Sequence, residues 1–170
     1  PKPPTLHAEV KEQLGGLGVV GSWGLTEFPV ATSGGFDDDD EQLAATEGVA
    51  SPGVEIRVVA LDGTGPVAAV ALANCGGAVD RAAINTHGLR FGKLMDYLDV
   101  NFLPGGAKYG DLPGILSLAA PALLWVAGES ADSAALTAQA YPAAGAGPKL
   151  TFHNGKPEDA GAAALAWLSK

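Results

Sequence analysis

The sequence predicts an α/β fold, a mainly parallel sheet flanked by helices, and two observations carry that expectation. From Val54 to the C-terminus, β-rich apolar runs alternate with Ala-rich helical runs, the pattern of βαβ units whose strands are covered on both faces. Of the 170 residues, 47% are hydrophobic and only 17% are charged, enough to bury a core, and abundant Gly and Ala allow helices to lie close on a sheet. One α/β domain over residues 1–170 is expected, with 1–53 as a distinct N-terminal part and 54–170 as the regular part.

The N-terminal elements read as short. Leu6, Val10 and Leu14 fall on one helical stripe ended by Gly15-Gly16, which leaves His7 facing solvent. Leu17 to Ser22 reads as a brief buried strand. Ser22 lies between Gly21 and Gly24, but LTEFPV follows it and not a helix, so it lacks the setting of an activated serine. Thr32 to Asp40 is turn chemistry closed by four aspartates; without the alternating spacing and glycine of a calcium loop it reads as a solvated loop or helix N-terminus. Glu41 to Glu47 adds a helical turn or two.

The regular part runs strand (VEIRVVAL), Gly-rich turn, helix (PVAAVALANC), strand (DRAAINT), long irregular stretch, strand (PALLWVAG), helix (SAALTAQAY), strand (PKLTF) and helix (PEDAGAAALAWL). In the irregular stretch Pro104 and Pro113 stiffen a loop, and Lys108, Tyr109 and Asp111 dock it onto the sheet. The last helix opens on Pro157, carries Glu158 and Asp159 where negative charge suits a helix N-terminus, and packs through Ala163, Leu165, Ala166, Trp167 and Leu168. Trp23, Trp125 and Trp167 read as core or sheet-face aromatics.

Charge and composition exclude several classes. A net charge of -9 with no Lys/Arg cluster repels phosphates, so nucleic acid is not an expected partner. Every apolar run is cut by Gly, Pro or a charge before the roughly 20 residues that cross a bilayer. Cys75 is the single cysteine, which allows no internal disulfide and no thiolate metal cluster. No cofactor or metal is expected. The start at Pro1 suggests a trimmed chain, and the compartment stays open, secretion after processing included.

The turn Asp62-Gly63-Thr64-Gly65, between a strand and a helix opened by Pro66, has the order of a nucleophile elbow, whose pattern is G-x-S-x-G. Aligning the last glycine with Gly65 puts Gly63 at the serine position and keeps a glycine where helix meets strand. Shifting back by one puts Asp62 at the tip, and carboxylates also serve as nucleophiles. Neither G-x-G-x-x-G nor a P-loop Lys is present, and Asp62 opposes a phosphate, which disfavours a nucleotide-binding domain.

With ALDGTGP, VDRAAINT, the segment FLPGGAKYGDLPGILSLAAPALLWVAGE and a terminal strand, histidine and helix, residues 54–170 resemble the α/β-hydrolase superfamily. The likeness is to the branch of acetyl-xylan-esterase-like, dienelactone-hydrolase-like and prolyl-oligopeptidase-like enzymes. It implies an acid at Glu129 or Asp132, after strand LLWVAG, and a general base at His153. An acid after a strand is also the usual N-cap of the next helix, a part Asp132 could play before SAALTAQAY. His87 would face the same C-terminal edge of the sheet. Gly63 stands where the family has its serine, and the family's first strands have no counterpart, so that half of the sheet is absent, replaced by the first fifty residues or supplied by another chain. The favoured expectation is a non-catalytic hydrolase-like module that binds a partner chain or a second copy of itself. The alternative is a carboxylic-ester hydrolase using Asp62 or an activated water, with His153 and Asp132 as base and orienter.

Overall fold

Ala82 and Ile84 of one strand point to one face of a sheet while Ala83 points to the other, and all three are fully buried. A strand covered on both faces needs helices on both sides, and the architecture follows from that requirement. The computed structural model describes residues 3–24, 30–75 and 77–170. The chain divides into two units, Pro1–Glu55 and Ile56–Lys170.

In the first unit, helix α1 (Pro4–Leu14) packs against α2 (Asp40–Ala45). Strands β1 (Ser22–Trp23), β2 (Thr32–Ser33) and β3 (Val49–Ala50) form an antiparallel sheet in that order. Asp39 caps α2 by accepting from the Gln42 N–H while the Gln42 side chain accepts from the Asp39 N–H, so the acidic run is a helix N-terminus. Three expectations are corrected here. His7 is buried, accepting at Nδ1 from the Val19 N–H (3.1 Å), with Nε2 3.3 Å from Asp40 Oδ1. The helix buries this polar side chain because neighbouring backbone satisfies it, whereas Leu14, at the frayed end before Gly15, is 81% exposed. The run 17–21 forms no strand, because only Ser22 and Trp23 pair with β2, and Trp23 lies exposed.

In the second unit, strands β4 (Arg57–Ala60), β5 (Arg81–Asn85), β6 (Leu123–Ala127) and β7 (Leu150–Phe152) form a parallel sheet in sequential order. Helices α3 (Gly65–Cys75), α4 (Asp111–Ser117) and α5 (Ala135–Ala143) neighbour one another in turn, and with Ile84, Leu124 and Val126 they enclose one core. Helix α6 (Ala160–Leu168) covers the other face, setting Ala160, Ala164 and Leu168 against Ala83, Trp125 and Ala127. The i, i+4, i+8 spacing of that stripe turns Leu165 and Ala166 outward, contrary to the packing face expected from sequence. Pro113 belongs to α4 and is buried there, not in a loop. Proline is tolerated in a helix's first turn, where its missing N–H has no intrahelical partner to lose.

Tyr141 is fully buried in the larger core, and its hydroxyl has no hydrogen-bond partner among the described residues; burial pushes its phenol above the ordinary range. Leaving a polar atom unpaired costs about 1–3 kcal/mol. Tyr141→Phe is therefore expected to raise the unfolding free energy in urea by about 1 kcal/mol; an unchanged or lower midpoint would mean the hydroxyl is satisfied.

Candidate functional site

Parallel strands deliver their C-terminal ends to one edge, where open α/β sheets hold their ligands. A cleft of about 570 Å³ lies there, lined among others by Asn85, His87, Gly128, Glu129, Ser133 and His153. Gly128 (φ +79°) lets the β6 end approach the β5 end: a Cβ there would sit 2.6 Å from the His87 nitrogen. His87 itself has φ +50°, and its N–H donates to Asn85 Oδ1 at 3.0 Å.

The strongest interaction at this edge is an ion pair. Glu129, whose side chain is fully buried, accepts from Arg90 Nη1 at 2.6 Å (Oε1) and Nη2 at 2.9 Å (Oε2). The Ser133 hydroxyl donates to Oε2 at 2.5 Å and the Thr86 hydroxyl to Oε1 at 3.1 Å. Burial alone would raise the Glu129 pKa; the Arg90 fork and the two hydroxyls outweigh it and hold the carboxyl below its ordinary 4.5. Arg90 also donates to the Leu89 and Ser133 carbonyls. The clamp thus ties the segment after β5 to the turn after β6.

His153 continues β7, its N–H donating to the Val126 carbonyl at 2.7 Å. Its ring lies 5.1 Å from Trp125, centroid to centroid, and its Nε2 is 3.1 Å from the Lys156 carbonyl, which fixes Nε2 as the protonated nitrogen. His153 and Glu129 share the cleft without bonding to each other. Asp132 is exposed and makes no hydrogen bond or ion pair among the described residues. It does not cap α5 either: Ser130 and Ser133 cap that turn reciprocally, each backbone N–H donating to the other's hydroxyl. Asp111, expected as a docking residue, does dock its loop. Burial raises its pKa, and N–H bonds from Gly92, Leu112 and Phe91 more than offset that, holding the carboxyl low.

At the β4–α3 turn, Gly65 is fixed by packing, since a Cβ there would lie 1.8 Å from the Asn85 carbonyl oxygen. That contact accounts for a glycine at the first position of α3. No residue from Leu61 to Gly65 has a positive φ, so the turn lacks the strain that projects a nucleophile. Asp62 accepts from the Thr64 hydroxyl (2.5 Å) and N–H (3.0 Å), bonds that lower its pKa. This exposed carboxylate serves a local turn and does not line the cleft.

Among the described residues, no group of three or more His, Cys, Asp or Glu is placed to hold a metal ion, and no helix is long and apolar enough to cross a membrane. No protein-family model, curated protein or solved structure matches the chain.

Sequence reasoning missed Arg90, Thr86 and Ser133. The signal was present: a glutamate directly after an apolar strand needs a cation when buried, and of Arg57, Arg81 and Arg90 only Arg90 follows the C-terminal end of a strand.

Removing one partner of a buried pair strands the other charge, so Arg90→Ala is expected to cost about 3–5 kcal/mol of unfolding free energy at neutral pH. Because the folded Glu129 pKa is depressed, its contribution is complete above pH 4.5 and is lost as pH falls through the lower folded value. Glu129→Gln should therefore flatten the fall in stability below pH 4.5. Urea unfolding across a pH series reads both effects; a variant curve parallel to the parent's in acid would contradict the assignment.

Proposed function

We propose that the chain is a non-catalytic, hydrolase-like module whose role is to bind a partner chain. The observation that carries this reading is where the reactive groups spend their hydrogen bonds. Glu129 is consumed by Arg90, Ser133 and Thr86, and the His153 Nε2–H is turned to the Lys156 carbonyl. A general base needs a free nitrogen aimed at a nucleophile and a carboxylate orienting the other nitrogen. Gly63 supplies no nucleophile.

The α/β-hydrolase likeness draws support from the sequential parallel sheet, from α6 alone on one face, and from the turn at Gly65. Partner binding draws support from β4, which has a single strand neighbour among the described residues and so presents an edge. The alternative, an ester hydrolase using Asp62, requires Asp62, Asp132 and His153 to act together. Asp62 and Asp132 stand outside the lining of the cleft that His153 enters.

The purified chain is expected to hydrolyse a short acyl ester no faster than its His153→Ala and Asp62→Asn variants. Initial rates at micromolar enzyme test this; turnover abolished by either substitution would replace the binding reading with the esterase one.

A further inference from the structure

From Leu94 to Leu103 the chain runs as a strap between the 3-10 turn Phe91–Lys93 and the loop leading to α4. Two Asx turns set its shape: Asp96 Oδ1 accepts from the Leu98 N–H at 2.9 Å, and Asp99 Oδ1 from the Asn101 N–H at 2.8 Å. This folded strap presents Met95 (96% exposed), Val100 (91%), Tyr97 (75%) and Leu98 (72%) to solvent. Four large apolar side chains within six residues form a patch of the kind that marks an interaction site.

Beside them lies a pocket of about 130 Å³, walled by Pro66, Val67 and Val70 of α3 together with Phe91 and Phe102. Asn101 also lines it, and the buried Asn101 Oδ1 has no hydrogen-bond partner among the described residues. An apolar pocket of this kind suits an apolar or aromatic anchor.

Charge selects among occupants. The strap's two charged side chains are Asp96 and Asp99, and the chain carries -9 overall. A second copy laid patch to patch would oppose like charges, and an anionic membrane surface would be repelled. A segment that sets an apolar or aromatic anchor among lysines or arginines is complementary in both respects.

Resting on the partner-binding reading above, we infer that the strap Leu94–Leu103 and the α3 pocket form the docking surface for a basic amphipathic segment of a partner protein. The anchor enters between α3 and Phe102, and flanking cations meet Asp96 and Asp99.

The test uses the full chain and two synthetic peptides of Leu, Trp and Lys, or of Leu, Trp and Glu, followed by amide chemical shifts and by fluorescence anisotropy. The Lys peptide should bind with shifts centred on residues 94–103 and Val67, and more weakly as salt rises. The exposed-site variant Met95→Ser/Leu98→Ser should raise its Kd about tenfold or more, and Asp96→Asn should reduce the salt dependence. The surface is overturned if the Lys peptide fails to bind or shifts residues elsewhere. It is also overturned if the Glu peptide binds equally well, or if sedimentation shows self-association that Met95→Ser/Leu98→Ser abolishes. Ester turnover measured in parallel separates the two readings. Absent turnover with no strap binding overturns the surface alone, whereas strap binding with His153-dependent turnover supports the surface and overturns the non-catalytic role.

Discussion

The C-terminal edge of the sheet depends on one buried ion pair. Glu129 emerges from β6 with its side chain out of water, where an unpaired carboxylate is not tolerated, and Arg90 answers with a two-bond fork. The placement of Arg90 fixes the segment after β5, and Ser133, recruited to the same carboxylate, fixes the first turn leading to α5. The cleft walls are therefore set by this pair. The same pairing removes from the cleft its most buried acid.

That constraint bears on what the edge can do. A catalytic carboxylate is held by a histidine and keeps a lone pair for it; Glu129 has four donors already. His153 lies tilted beside Trp125, with its Nε2–H turned to the Lys156 carbonyl of its own loop. The strand-to-helix turn adds no strained tip, and its carboxylate, Asp62, closes an Asx turn with Thr64. Glu129, His153 and Asp62 are thus each bonded to groups of their own segment or of the clamp. The strap, by contrast, turns four apolar side chains to solvent with only two aspartates among them.

Much of the second unit was legible because its signals are local. Val58, Ile84 and Val126 sit in β-rich runs, Gly65 marks a close approach of helix and strand, and Asp111 reads as a docking residue from its place between elements. Partner choice was not legible. Arg90 and Glu129 are 39 positions apart, and only the parallel register of β5 and β6 brings them together. His7 misled because a polar residue on a helix reads as exposed until the Val19 backbone that satisfies it is placed. The strap lay inside a stretch that read only as irregular, and its exposed Met95, Tyr97 and Leu98 became visible once the Asx turns at Asp96 and Asp99 were placed.

The most direct test of the account is the tautomer of His153, read from ¹⁵N–¹H correlation spectra of the imidazole in the parent chain and in Asp132→Asn. The account predicts an Nε2–H bonded to the Lys156 carbonyl and unchanged by the substitution. An imidazole protonated at Nδ1 whose resonance moves in Asp132→Asn would reveal a carboxylate–histidine pair and contradict the non-catalytic assignment.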